Sequence, residues 1–136
     1  FPSFDALDNI GIYPYPFVKE TALEILKKLE LGDVCDNPAA EYSGGMKRRL
    51  AIARALYGCT TLHAHKPGEP LLLIMDEPFK GLDPTLRKKV IDTVDDIVCR
   101  TGSALILVTH ESSEAVALGC EHIALKPKRR DVNRWH

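Results

Sequence analysis

Two acidic residues stand directly behind a short apolar run in the middle of the chain. The run covers residues 71–75 (LLLIM), and Asp76 and Glu77 follow it. Such a run is typical of a buried parallel strand, and ligands of open α/β sheets bind beyond the carboxyl ends of such strands. There Asp76 could hold Mg²⁺ while Glu77 orients and deprotonates a water. For an isolated acidic pair, however, a solvated turn is the commoner outcome.

A second candidate site is the tripeptide Ser43-Gly44-Gly45, at the start of a predicted helix. Free backbone N–H groups and the positive end of the helix dipole suit an anion such as phosphate. The dipole contributes only about 0.3 to 1 kcal/mol, and a serine cap is also an ordinary feature of helices. The basic residues 47–49 could attract phosphate or form the exposed face of this helix.

A third candidate is His110, which follows the second apolar run at residues 104–108. Because the carboxyl ends of parallel strands share one edge of a sheet, His110 is expected near Asp76 and Glu77. It could form a hydrogen bond to a terminal phosphate. A single histidine after a strand is weak evidence by itself.

These residues depend on an alternation of helices and strands. Apolar periodicity and capping residues predict helices over residues 18–31, 43–58, 85–100 and 112–118, and strands over 71–75, 104–108 and 122–125. Residues 1–17 are predicted to be a loop, and residues 60–69 a long link. The order strand, helix, strand describes the crossover unit of a parallel sheet, so the predicted fold class is α/β.

Length and composition allow one globular domain. The chain has 136 residues, of which 45% are hydrophobic and 27% charged, with a formal net charge of −1. That charge gives no bulk attraction to nucleic acid, so no nucleic-acid partner is expected. A solvated end is favoured over nucleic-acid contact for the basic tail, which consists of Lys126, Lys128, Arg129, Arg130 and Arg134.

The order of four short motifs is more specific than any one of them. They are YSGGM at 42–46, LLLIMDEP at 71–78, GLD at 81–83 and VTH at 108–110. The set resembles the ATP-binding cassette (ABC) ATPases, in which these segments are the signature motif, Walker B, the D-loop and the switch histidine. The resemblance extends over nearly the whole chain.

The resemblance implies the later part of a P-loop ABC cassette. Residues 1–58 would form part of the helical signature subdomain, and residues 59–136 the carboxyl-terminal part of the α/β nucleotide-binding core, a parallel sheet flanked by helices. The sequence departs from the family pattern in two places. Met46 replaces the usual glutamine of the signature, and the 136 residues contain neither a Walker A motif nor the Q-loop glutamine. The missing motifs are therefore expected upstream of Phe1, and apolar surface is expected to be exposed.

The resemblance also implies ATP and Mg²⁺ as cofactors and a head-to-tail dimer of two cassettes. Ser43, Gly44 and Gly45 would bind the terminal phosphate of ATP held by the other cassette, and Asp83 of the D-loop would belong to the same nucleotide site.

Three further roles follow from the resemblance. Asp76 would hold Mg²⁺ through water, Glu77 would act on the attacking water, and His110 would stabilise the transferring phosphoryl group.

Residues 76–84 and 109–115 most resemble importers of the nitrate, sulfonate, taurine and thiamine-precursor group, whereas residues 42–50 (YSGGMKRRL) also resemble exporter-like cassettes. An importer subunit would lie on the cytoplasmic face of the membrane, contact a transmembrane permease through residues 10–45 and work with a substrate-binding protein. Two alternatives stay open. One is a soluble ABC-type ATPase of DNA repair or translation. The other is a non-catalytic module, because Walker A is absent and the chain alone is expected to be inactive.

Overall fold

A computed structural model describes residues 1–125 of the protein. Within this range the elements are α1 (Ala6–Ile10), α2 (Lys19–Lys28), α3 (Gly44–His65), β1 (Leu72–Asp76), α4 (Pro84–Thr101), β2 (Ala104–Val108) and α5 (Ser112–Ala117). Short 3-10 turns at Gly32–Val34 and Ala39–Glu41 join α2 to α3. The predicted α/β fold, with a parallel sheet and flanking helices, is confirmed.

The two strands pair in parallel and are connected by α4. Their register runs from Leu72 opposite Ala104 to Asp76 opposite Val108. Helix α4 has clear sequence signals at both ends. Asp83 caps its first turn and Pro84 occupies the first helical position, while Gly102 ends it at φ 64° in the left-handed region.

Helix α3 packs against α1, α2 and α4 and forms the centre of the helical part. Its side chain at Leu56 is fully buried, as are Leu26 of α2 and Val94 of α4. Burying a leucine of this kind stabilises the fold by about 1.5 to 3 kcal/mol relative to exposing it.

The predicted end of α3 at Gly58 is wrong, because the helix continues to His65. Residues 60–65 of the predicted link are therefore helical. Gly58 is there for close packing: a Cβ on it would lie 2.4 Å from the hydroxyl oxygen of Tyr13. That hydroxyl donates a hydrogen bond to the carbonyl of Arg54 at 3.0 Å. The helix ends where Pro67 and Gly68 follow.

The predicted loop over residues 1–17 contains a short helix, α1, which corrects that expectation. Asp5 caps it, since its Oδ1 accepts a hydrogen bond from the Asp8 amide at 2.8 Å. Ala6 and Ile10 of α1 are fully buried. Tertiary burial of these two residues stabilises a helix that is too short to be stable alone.

One face of the sheet is exposed in the described residues. Leu73 and Met75 point into the core, but Leu72 and Ile74 are 59% and 62% exposed, and Ile106 and Val108 are each 50% exposed. The prediction that both strands are buried on two sides is therefore wrong for this part of the chain. The prediction that apolar surface is exposed is confirmed.

The strand predicted at residues 122–125 is absent from the structure. A strand needs a hydrogen-bonded neighbour, and the sheet formed by residues 1–125 contains only β1 and β2. Ile123 and Leu125 are instead 79% and 92% exposed. The basic tail that begins at Lys126 lies outside the described residues.

The division of the chain at residue 58 stays a prediction, and α3 crosses that position without a break. None of the helices between residues 1 and 125 is both long enough and apolar enough to span a bilayer.

The contact between Tyr13 and Gly58 gives the first test. We expect Gly58→Ala to lower the free energy of unfolding by about 1 to 3 kcal/mol, because the added methyl group overpacks this contact. Denaturant unfolding measures the change. Gly45→Ala is the matched control, because its Cβ meets no atom within 4 Å. An alanine at position 58 that leaves stability unchanged would show that Tyr13 does not pack there.

Candidate functional site

The carboxyl ends of β1 and β2 bring three of the predicted residues together. Asp76 is the last residue of β1, Glu77 follows it, and His110 stands two residues beyond β2. The Nε2 atom of His110 lies 3.1 Å from Oε1 of Glu77. The His110 side chain is 93% exposed, whereas that of Glu77 is 24% exposed. The predicted proximity of these residues is thus present in the structure.

The backbone at Glu77 sets this geometry. Its amide donates a hydrogen bond to the Val108 carbonyl at 2.8 Å, which extends the parallel ladder by one step past Asp76. The chain then turns sharply, with Glu77 at φ 46° in the left-handed region. A residue with a side chain there costs on the order of 1 kcal/mol, and such strain is concentrated at functional sites.

Oε1 of Glu77 is buried and has no hydrogen-bond partner. His110 is within ion-pair distance of it, but the angle between them does not meet the geometry of a hydrogen bond. An unsatisfied buried carboxylate oxygen is costly, and native proteins rarely leave one without a partner. The oxygen is therefore suited to accept a hydrogen bond from a group that arrives from solution, such as a water.

The start of α3 has the geometry of an anion site. Ser43 caps the helix, since its Oγ accepts a hydrogen bond from the Met46 amide at 3.2 Å. A Cβ built on Gly44 or Gly45 would meet nothing within 4 Å, so no contact inside the described chain requires glycine at either position. The open space lets another molecule approach the backbone N–H groups closely.

Two of the three basic residues on this helix bind carbonyl groups of the chain itself. Nη1 of Arg49 donates hydrogen bonds to the carbonyls of Leu29 at 2.8 Å and Glu30 at 3.3 Å. Arg48 donates to the carbonyl of Lys80, in the loop that follows Glu77. Neither of the two earlier interpretations, phosphate attraction or a solvated face, describes these two arginines. They fix α3 against its neighbours instead.

Asp83 lies at the other end of the loop that follows Glu77. Its Oδ1 accepts a hydrogen bond from the Leu86 amide at 3.0 Å and so caps α4. Gly81 permits the turn that precedes it, with φ 78°. The structure gives Asp83 this capping role, while its predicted place in a nucleotide site stays a prediction.

The predicted residues fall into two groups. Asp76, Glu77 and His110 form one, and Ser43 with its two glycines forms the other. Among residues 1–125, no hydrogen bond or ion pair joins Ser43 to Glu77 or His110.

Sequence reasoning assigned no role to Thr109 and Glu114. Yet Thr109 Oγ1 donates a hydrogen bond of 2.5 Å to Oε2 of Glu114 and accepts one from the Glu111 amide at 3.0 Å. A threonine two residues before an amide is a known local turn pattern and could have indicated the second bond. The first depends on tertiary structure.

The donor set around Asp76 suits Mg²⁺ only in combination with other ligands. Residues 1–125 contain no group of three or more His, Cys, Asp or Glu side chains that could hold a metal ion. Mg²⁺ typically keeps several waters and binds one or two carboxylates together with substrate phosphates. The exposed carboxylate of Asp76 fits that mode.

Comparison with known proteins gives the family. The sequence model of a family described as ABC transporter matches residues 1–80, which is more than half of the chain. The chain belongs to the ABC transporter family. Among solved structures, this cassette chain superposes with a TM-score of 0.65 and 26% identity on a dimeric ATP-binding cassette in a post-hydrolysis state bound to ADP and Pi. The match covers 86% of this chain and 50% of that one.

Curated relatives of this ABC chain include two import proteins. It is 36% identical over 121 residues to the aliphatic sulfonates import ATP-binding protein SsuB 2 of Agrobacterium fabrum, covering 88% of this chain and 42% of that protein. It is 35% identical over 132 residues to the Fe(3+) ions import ATP-binding protein FbpC of Brucella melitensis, covering 93% and 35%. The ABC chain thus spans less than half the length of these relatives.

The strained backbone at Glu77 gives the second test. We expect Glu77→Asn to have a higher free energy of unfolding than Glu77→Gln, by about 0.5 to 1 kcal/mol, because asparagine tolerates the left-handed region better. Both variants lack the carboxylate, and the methylene group that asparagine lacks would act in the opposite direction, so a more stable asparagine variant reports the backbone. Denaturant unfolding of the two variants side by side measures it. Equal stabilities would mean that Glu77 is not strained.

Proposed function

We propose that the chain is part of the ATP-binding and ATP-hydrolysing subunit of an ABC importer. The observation that carries this proposal is the buried, unpartnered Oε1 of Glu77, which faces His110 at the carboxyl ends of two parallel strands. Membership of the family supports ATP as the nucleotide. The open start of α3 adds a second group suited to phosphate.

The chain's own residues have separate tasks in hydrolysis. Glu77 orients the attacking water through Oε1 and accepts its proton. His110 lies opposite Glu77 at the end of β2. Its exposed ring donates a hydrogen bond to the phosphoryl group that is transferred. Asp76 would hold Mg²⁺ through water, and its exposed carboxylate is free to do so. When bound, ATP would supply the phosphoryl group and Mg²⁺ would supply positive charge. Phosphoryl transfer depends mainly on positioning and electrostatic stabilisation, which these residues provide.

A second copy of the cassette completes the site. Ser43, Gly44 and Gly45 of one copy bind the terminal phosphate of ATP held by the other, through backbone N–H groups at the start of α3. The open space over both glycines supports this arrangement. Asp83, at the end of the loop that follows Glu77, contributes to the same interface. The related cassette that was solved as a dimer supports the pairing.

The helical part is the surface that meets the membrane partner. Ile12, Phe17 and Val18 lie in the segment 10–45 and are 42%, 42% and 43% exposed. Apolar side chains at such exposure suit a permease that binds this side of the subunit. We place the protein on the cytoplasmic face of the membrane, next to that permease and a substrate-binding protein.

The proposed solute is a small molecule or ion of the sulfonate, nitrate or taurine type. The similarity to an aliphatic sulfonates import ATP-binding protein supports the first of these. The resemblance of residues 76–84 (DEPFKGLDP) and 109–115 (THESSEA) to importers supports the same group.

The third test replaces the proposed base in the complete protein, with whatever its coding sequence adds on either side of this chain. We expect Glu77→Gln to bind ATP as tightly as the parent and to lose about 100- to 1,000-fold in turnover, because the amide cannot accept the proton from water. Calorimetry measures ATP binding, and phosphate release measures turnover.

Glu69→Gln is the matched control, because it makes the same chemical change on an exposed loop residue. Normal hydrolysis by Glu77→Gln would refute the assignment of the base. In cells, Glu77→Gln should abolish growth on an aliphatic sulfonate as the sole sulfur source but not on sulfate. Growth on both would exclude sulfonates as the solute.

The fourth test separates capping from phosphate binding at Ser43. Aspartate caps helices about as well as serine, so Ser43→Asp should change the free energy of unfolding by less than about 0.5 kcal/mol. Its negative charge should repel phosphate and abolish ATP-dependent dimer formation. Size-exclusion chromatography in the Glu77→Gln background, where ATP persists, measures the dimer.

Ser3→Asp adds the same charge at an exposed position before α1 and should leave the dimer intact. An ATP-dependent dimer that survives Ser43→Asp would show that the start of α3 does not face the nucleotide.

A further inference from the structure

The carboxylate of Glu114 is buried and lies close to the switch histidine, but the proposed reaction does not use it. Its side chain, on α5, is 5% exposed. Oε2 accepts the 2.5 Å hydrogen bond from Thr109, the residue directly before His110. Oε1 lies 4.0 Å from Nη1 of Arg87, on the first turns of α4. One carboxylate therefore connects the segment that carries the histidine to the helix that begins after Asp83.

The hydroxyl of Thr109 both donates and accepts a hydrogen bond. It donates to Glu114 and accepts from the amide of Glu111, so its two hydrogen bonds enclose the peptide units on either side of His110. The amide of Glu114 in turn donates to the Glu111 carbonyl at 3.1 Å. The backbone from residue 109 to residue 111 is thus held from one side by this cluster.

The ring of His110 has few contacts of its own. It is 93% exposed, and its ion-pair contact among residues 1–125 is with Glu77. A ring without packing neighbours takes its position from the backbone that carries it. The place of His110 opposite Glu77 therefore depends on how the segment 109–111 is held.

The connection between α4 and α5 is polar. A cavity of about 260 Å³ lies between the two helices, lined in part by Arg87, Ile91, Glu114 and Ala117. The contact of Arg87 with Glu114 is a direct polar link across this space. The amide of Arg87 donates to the Asp83 carbonyl at 2.8 Å, which continues the link to the start of α4.

We propose that Glu114 is a positioning residue for hydrolysis: through Thr109 it sets where the ring of His110 stands opposite Glu77, and through Arg87 it fixes that position relative to the loop that ends at Asp83. The proposal rests on the proposed ATPase function. Glu114 itself touches no reacting atom.

The test uses two substitutions of Thr109 in the complete protein. Thr109→Val keeps the shape and removes both hydrogen bonds, and Thr109→Ser keeps the hydroxyl. We expect Thr109→Val to lower kcat between about 10- and 100-fold at an unchanged KM for ATP, because a shift of about 1 Å in a catalytic group can cost that much. We expect Thr109→Ser to stay within about twofold of the parent.

A double variant tests the route through Thr109. Glu114→Met removes the acceptor, and if Glu114 acts through Thr109, the double variant Thr109→Val with Glu114→Met should have the kcat of the slower single variant. Losses that multiply would show independent effects and overturn the proposal. Should Glu114→Met fail to fold, the comparison of Thr109→Val with Thr109→Ser still tests the proposal.

A readout without ATP separates this proposal from the proposed function. NMR signals of the exposed His110 ring should move in Thr109→Val and stay in place in Thr109→Ser. If the parent hydrolyses ATP but Thr109→Val retains its kcat, or loses only stability, the positioning role is wrong. If the ring signals move but the parent does not hydrolyse ATP, the proposed function fails while the link from Thr109 to His110 stands.

Discussion

The last step of the parallel ladder determines the geometry of the whole site. The hydrogen bond from the Glu77 amide to the Val108 carbonyl continues the register of β1 and β2 by one residue, and the chain turns immediately afterwards. That bond places the two strand ends at the same height, so a side chain from each reaches the same point. If the strands slipped by one residue, Glu77 and His110 would face opposite sides of the sheet. The placement of Glu77 opposite His110 therefore depends on the register of the two strands.

The helical part is held to this sheet mainly through α3. Apolar burial supplies most of the stability, and directed hydrogen bonds from Arg48 and Arg49 set where the first turn of the helix stands. Both arginines donate to carbonyl groups outside α3, and Arg49 also donates to the carbonyl of Gly45 within it. The two arginines therefore orient the first turn of α3. Ser43 stays exposed, and it and the two glycines can contact another molecule.

Local sequence signals were sufficient for most of the elements. The apolar runs, Gly102 and the cap Ser43 predicted α4, β2 and the start of α3 closely. The errors arose where tertiary packing outweighed local signals. Gly58 indicated a helix end, but the residue is small because Tyr13 lies against it. The apolar pattern at residues 122–125 predicted a strand, but pairing needs a neighbour that the pattern cannot show.

Some features of the candidate site were likewise predictable from local sequence, and others depend on tertiary structure. Asp76, Glu77 and His110 were predictable because parallel strands end at a common edge. The left-handed backbone of Glu77 and its unpartnered oxygen were not, since both follow from the turn and the burial around it. The role of Glu114 was hidden because its partners, Thr109 and Arg87, lie on different elements.

The pairing of β1 with β2 also has a consequence for the order of folding. The register joins residues 72 and 104, and the chain between them must close a long loop before the first strand contact forms. Closing the loop lowers the conformational entropy of the chain before the strand contacts stabilise it. Helix α4, in contrast, can form from contacts close in sequence. The helices are therefore expected to become ordered first, and the reacting edge of the molecule last. A newly made chain would be compact before Glu77 and His110 face each other.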